Sequence, residues 1–306
     1  MSYTKIMLEI FILMTYIAVG YIIRKIRLIS ETGIHDISRL IVNVAYPLLI
    51  ISSMNVEYET EHVRNILYIF VSAFMFLTFT SLSSKQIIKI LGGESGQKKS
   101  MRYCMIFGNV AFLGYPICYA FFGEIGMFYA SIYVVTQNLF QWTLGVNIFK
   151  QEKIRLSNLK KLMNPGIIAI TIGLSMFFFN IRTPMIMERI IKGIGGTAVP
   201  LALMMIGATL QQYKFSEIAS DKRIYIIAAL KTLVFPVIFL SILYFIPMNR
   251  MLKSILTIQA AAPVQATSVV FAKNFNGDSV VPAKVVFLSV ILCLVTVPLF
   301  LVLINI

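Results

Sequence analysis

The residues able to do chemistry in this sequence are amides set beside prolines inside otherwise apolar stretches. Ile106 to Gly123 reads IFGNVAFLGYPICYAFFG and places Gly108, Asn109, Gly114 and Pro116 where a membrane helix should be uninterrupted. Gln259 to Ser268, QAAAPVQATS, sets Pro263 between Gln259 and Gln265, with Thr267 and Ser268 following. Proline removes an amide donor and clashes with the preceding turn, and glycine loosens what remains. In a bilayer the freed N–H and C=O groups need partners, so such breaks survive only where protein or a water-filled cavity surrounds them. A half-helix N-terminus at a break also offers unpaired amides at a positive dipole end. That suits an anion without the cost of a fixed buried charge. Asn109 and Pro116 in the first break, and Gln259, Pro263 and Gln265 in the second, are therefore the candidate substrate-binding residues. The plainer alternative is two proline-kinked helices whose amides bond only to one another.

A third polar group is Gln137, Asn138 and Gln141, where spacings of three and four residues put each of the first two on a shared stripe with Gln141. Lys231 is an ionisable residue inside an apolar stretch. It is a candidate for ion or charge coupling, with snorkelling to the interface as the structural alternative. Asn43, just before Pro47, reads as support for the scaffold. Glu9 lies near an interface, and Glu124 and Asp278 read as N-terminal caps of the helices that follow. His35 and His62 fall in loops. Cys104, Cys118 and Cys293 lack metal-ligand spacing, so no metal site and no cofactor are expected. No Asp or Glu stands at mid-depth, and coupling to Na+ or H+ is left open by the sequence.

These residues must be positioned by membrane helices. Hydrophobic residues make up 58% of the chain and charged residues 13%, about half the charged share of soluble domains. The expected class is an all-α integral membrane protein. Windows of about 20 apolar residues give ten spans, at 6–23, 38–54, 64–82, 101–122, 126–149, 163–180, 195–211, 224–246, 251–274 and 282–304. Of 27 basic residues, 19 fall in the loops that follow odd-numbered spans, so both termini are expected outside. The net charge of +14 is a topology signal here rather than a nucleic-acid footprint. No cleavable signal peptide is evident, since Lys5 leads straight into a span.

The basic segment 151–162 divides the chain into halves at 1–150 and 163–306, each with five spans. An odd number per half makes the halves inverted if they are repeats. Proline recurs in the second and fourth spans of each, as in Ala45-Tyr46-Pro47-Leu48 and Ala198-Val199-Pro200-Leu201. Inverted five-span repeats whose broken helices meet at midplane are a known carrier design.

Several stretches together resemble the auxin efflux carrier family. They are NVAYPLLI at 43–50, GNVAFLGYP at 108–116, YVVTQNLFQWTLG at 133–145, NPG at 164–166, GGTAVPLALMMIGATL at 195–210 and AAAPVQA at 260–266. The resemblance runs in order along essentially the whole chain. The long hydrophilic central loop of the plant carriers is missing, which makes the chain resemble the compact bacterial branch described as malate or malonate permeases. The resemblance implies two inverted five-helix repeats with crossed, broken helices 4 and 9, elevator-type movement and a homodimer. It further implies a small organic anion as substrate and a plasma-membrane location. By resemblance, Asn109, Pro116 and Pro263 fall on the crossover and Asn138 matches a polar position facing it.

The expected function is thus a secondary transporter of small organic anions. A channel would line a pore with the same breaks, and a transport-like sensor would bind the anion without moving it. An integral-membrane enzyme fits less well. Two histidines, no HExxH, no paired acids within spans and no P-loop supply neither hydrolytic nor ATP-driven chemistry.

Overall fold

The computed structural model describes residues 3–150, 163–211, 221–275 and 277–305. The expected linker 151–162 lies outside the described residues. In chain order the elements are α1 (Tyr3–Lys25), α2 (Glu31–Leu40), α3 (Tyr46–Ser53), α4 (Thr60–Leu91), α5 (Ser95–Ile106), α6 (Tyr115–Phe140) and α7 (Val146–Lys150). There follow α8 (Pro165–Phe178), α9 (Met185–Gly195), α10 (Ala198–Leu210), α11 (Lys222–Ala229), α12 (Phe235–Tyr244), α13 (Arg250–Ala261), α14 (Thr267–Asn274) and α15 (Val280–Asn305). Among the described residues no strand occurs, only one isolated antiparallel bridge between Gly108 and Val264.

Seven of the described helical stretches are long and apolar enough to cross a membrane. The difference from the ten expected spans has local causes. The expected fourth and fifth spans run on as one 40-residue stretch, Val110–Phe149, which bends at Gly123 (φ 63°, ψ −148°). Only glycine adopts that backbone without strain, and it lies where the boundary between those two spans was expected. The expected sixth span is the 14-residue α8. The expected ninth is α13 and α14, two short helices with a break between them.

Proline does less to break these helices than its chemistry suggests. The π-turns Ile41–Ala45, Val110–Gly114 and Leu230–Val234 lead directly into Tyr46-Pro47, Tyr115-Pro116 and Phe235-Pro236. A proline ring clashes with the carbonyl four residues back. A π-turn shifts the bonding to five residues back, as Tyr46 N–H to the Ile41 carbonyl and Phe235 N–H to the Leu230 carbonyl illustrate. Pro116 therefore sits inside a helical run, and the interruption expected of it falls earlier, at Phe107–Asn109.

The chain divides into two compact units. The first comprises Met1–Leu67, Ala111–Ile132 and Met163–Tyr213; the second comprises Tyr68–Val110, Tyr133–Leu162 and Lys214–Ile306. Each draws on both halves of the sequence. In the first unit α1 packs along α10 with almost nothing between their backbones. A Cβ at Gly20 would lie 1.9 Å from the Met204 carbonyl oxygen, and one at Gly207 the same distance from that of Ile17. Small residues allow this approach in membrane bundles, where close packing has to replace the hydrophobic drive. Tyr46 donates to the Phe112 carbonyl (3.2 Å), and Glu124 pairs with Lys192 (3.0 Å) rather than capping a helix. In the second unit Asp278 does cap α15, accepting from the Val280 and Val281 amides. An aromatic core of Tyr103, Phe107, Phe149 and Phe271 gathers α5, α7 and α14 there.

The α1–α10 contact predicts that Gly207→Ala lowers the thermal unfolding temperature in detergent, at a cost of about 1–3 kcal/mol for forcing two backbones apart. Gly193→Ala, where a Cβ meets nothing within 4 Å, should leave it unchanged or slightly raised. Equal behaviour of the two variants would remove the close contact as a source of stability.

Candidate functional site

The second unit contains both helix breaks. After α5 the chain turns extended at Phe107 (φ −97°, ψ 115°), and after α13 it does so at Ala262 (φ −52°, ψ 135°). The two extended pieces run antiparallel and pair. The Asn109 amide donates to the Pro263 carbonyl at 2.6 Å, beside the Gly108–Val264 bridge.

Side chains pair the other backbone groups freed by the breaks. Gln137 uses both ends of its amide on Gly108: Nε2 donates to the carbonyl (2.8 Å) and Oε1 accepts from the N–H (3.2 Å). The Val264 amide, which in a continuous helix would bond to the Ala260 carbonyl, donates instead to Ser289 Oγ (3.0 Å). The Ala260 carbonyl thereby left over accepts from Lys231 Nζ at 2.9 Å. Pro263 has no amide to donate to the Gln259 carbonyl, which accepts from the Ala262 amide at 3.3 Å. Orphaned groups in a dry interior cost about 1–3 kcal/mol each, so these partners hold the crossing together.

Gly108 is glycine because of proximity rather than flexibility. A Cβ there would lie 3.0 Å from the Ala262 carbonyl oxygen, 3.0 Å from Lys231 Nζ and 3.2 Å from Lys231 Cε. Lys231 is 0% exposed. It stands in the π-turn before Phe235-Pro236, so its side chain runs inward to the crossing and does not snorkel, against the alternative weighed from the sequence.

The sequence-derived candidates separate as follows. Asn109, Asn138, Gln259, Pro263 and Gln265 all belong to the second unit, whereas Pro116 belongs to the first. Gln259 and Pro263 are buried; Asn109, Asn138 and Gln265 are half-buried. Gln265 Nε2 donates to the Tyr103 hydroxyl (2.9 Å), which fixes the end of its side chain. Asn138 Nδ2 bonds back to the Val134 carbonyl of its own helix (3.0 Å), leaving its position one residue from Gln137. The first turn of α14 has no side-chain cap, and Ala266 and Thr267 before and within it are exposed. The second unit thus presents amides and a helix N-terminus beside the crossing, a set that accepts or donates hydrogen bonds without fixed charge.

Three contributors were missed from the sequence. Gln137 was seen only as part of a polar stripe, Tyr103 not at all, and Ser289 is a lone hydroxyl in apolar sequence with nothing to single it out.

The Gln137–Gly108 pair predicts that Gln137→Leu, which orphans two backbone groups at about 1–3 kcal/mol each, sharply lowers the thermal unfolding temperature. Asn138→Ala, which loses only a bond back to its own helix, should shift it little. A Gln137→Leu protein as stable as the parent would show that Gly108 has other partners.

The family profile described as "Membrane transport protein" matches residues 4–301. The chain is 24% identical over 303 residues to an uncharacterized transporter of Methanothermobacter thermautotrophicus, covering 98% of each chain. It is 22% identical over 306 residues to an uncharacterized transporter of Methanocaldococcus jannaschii, covering 95% of this chain and 96% of that one.

Proposed function

This chain belongs to the membrane transport protein family, that of the auxin efflux carriers, and from that premise we propose that it is a secondary carrier of small organic anions. The substrates are malate- or malonate-like carboxylates, and the site is the crossing in the second unit. The observation that carries this reading is the hydrogen bond between the two breaks, Asn109 N–H to the Pro263 carbonyl. Broken helices meeting in this way are the form in which carriers present half-helix termini to substrates and ions. Asn109, Asn138 and Gln265 supply amides to a carboxylate, Pro263 holds the second break open, and Gln259 supports it from within. Pro116, in the first unit, keeps its helix in register from its π-turn.

The same reading assigns ten spans in two inverted five-helix repeats, 1–150 and 163–306 joined by 151–162. It places the protein as a homodimer in the plasma membrane, both termini outside. Two units that each draw on both halves of the chain suit elevator movement, in which one unit carries the site and the other stays with the bilayer.

The test is uptake of labelled malonate and malate into proteoliposomes. Saturable uptake that unlabelled dicarboxylate suppresses is expected; flux that rises linearly with concentration would point to a channel. Asn109→Ala and Pro263→Ala should insert, keep unfolding temperatures near that of the parent, and lose at least about tenfold in flux, for Asn109 the scale of one lost hydrogen bond to a charged ligand and for Pro263 because the second break is no longer held open. Preserved flux in both variants would remove the crossing as the binding site.

A further inference from the structure

Lys231 is the only charged side chain among the described residues that is fully buried. Its Nζ donates to the Ala260 carbonyl (2.9 Å) and lies 5.7 Å from the centre of the Phe76 ring. No carboxylate among the described residues forms an ion pair with it. Its chemical partner is instead the end of a half-helix. α13 stops at Ala261, and the Ala260 carbonyl has lost its helical amide to Ser289. The C-terminal end of a helix is its negative pole, and in broken-helix carriers such ends and their unwound carbonyls are where the coupling cation is held. The crossing is built around the ammonium group: Gly108 has no side chain, and a Cβ there would meet Lys231 Nζ at 3.0 Å.

We infer that Lys231 is a tethered cation, an ammonium group occupying at the α13 terminus the position that an inorganic monovalent cation would take, so that the protein needs no Na+ to complete its site. The inference rests on the carrier reading for its consequence in transport. Its structural content, a cation-binding terminus filled by a side chain, stands independently of which anion is carried. Lys231 is thus a specificity-determining residue, and its truncation opens a site for a monovalent cation formed by the Ala260 carbonyl and its neighbours.

The experiment compares thermal unfolding of purified parent and Lys231→Ala protein in NaCl and in choline chloride of equal ionic strength, with no organic anion present. The parent should unfold at the same temperature in both salts. Lys231→Ala should be less stable in choline and regain roughly 3 °C or more in Na+, the size expected when a weakly bound ion at many times its Kd is linked to folding of a protein this large. Lys231→Ser, whose short side chain leaves the Ala260 carbonyl open to an ion, serves if the alanine variant is not recovered folded. Either variant responding equally to Na+ and choline overturns the inference, as does a parent protein stabilised by Na+. In proteoliposomes that show uptake, parent flux should be unchanged when choline replaces Na+. Sodium-dependent parent flux would overturn the inference while leaving the carrier assignment standing, and absence of uptake would bear on the carrier assignment alone.

Discussion

A helix interrupted inside a bilayer has no water to turn to, so each N–H and C=O released by the interruption must find a partner in the protein. The second unit is organised by that requirement. Asn109 and Pro263 pair one break with the other. Gln137 closes both backbone groups of Gly108, Ser289 takes the Val264 amide and Lys231 takes the Ala260 carbonyl. Around this frame Asn109, Asn138 and Gln265 are left half-buried. Gln137 within the frame and the half-buried amides beside it are the same chemical type, and burial is what divides them.

The location of the crossing was legible because its causes are local. Proline, glycine and amides crowd into 106–116 and 259–268, and few other features of apolar sequence have that composition. What escaped depends on direction in three dimensions. Lys231 was visible as a charge in an apolar run, but the π-turn of Leu230–Val234 decides that its side chain goes inward, and nothing in periodicity announces a π-turn. The signal was present in another form, since an aromatic residue followed by proline closes three of the four such turns described. Pro116 reads as a helix breaker for the same reason, since the widened turn Val110–Gly114 that accommodates it has no signature in hydropathy.

The grouping of the chain into two units was illegible for a different reason. Contacts such as α1 with α10 join residues nearly two hundred positions apart, and they are made by glycines, Gly20 and Gly207, whose packing leaves no trace in hydropathy. The membrane character, by contrast, needed composition alone. The short pieces α13 and α14 show why the ninth expected span fails a test of length: each piece of the interrupted helix is too short to qualify alone.

The Gly108–Val264 bridge also has a history in time. Its two residues are 156 positions apart in the chain, so a ribosome adding about 5–20 residues per second delivers the second on the order of 10–30 s after the first. For that interval the first break lies in the translocating chain without the partner it has in the finished protein. Gln137 follows Gly108 by only 29 residues and emerges within the first few seconds of it, at the scale of the same elongation rate. Its two-ended grip on Gly108 can therefore form before Pro263 arrives, leaving the Asn109 N–H as the group that waits.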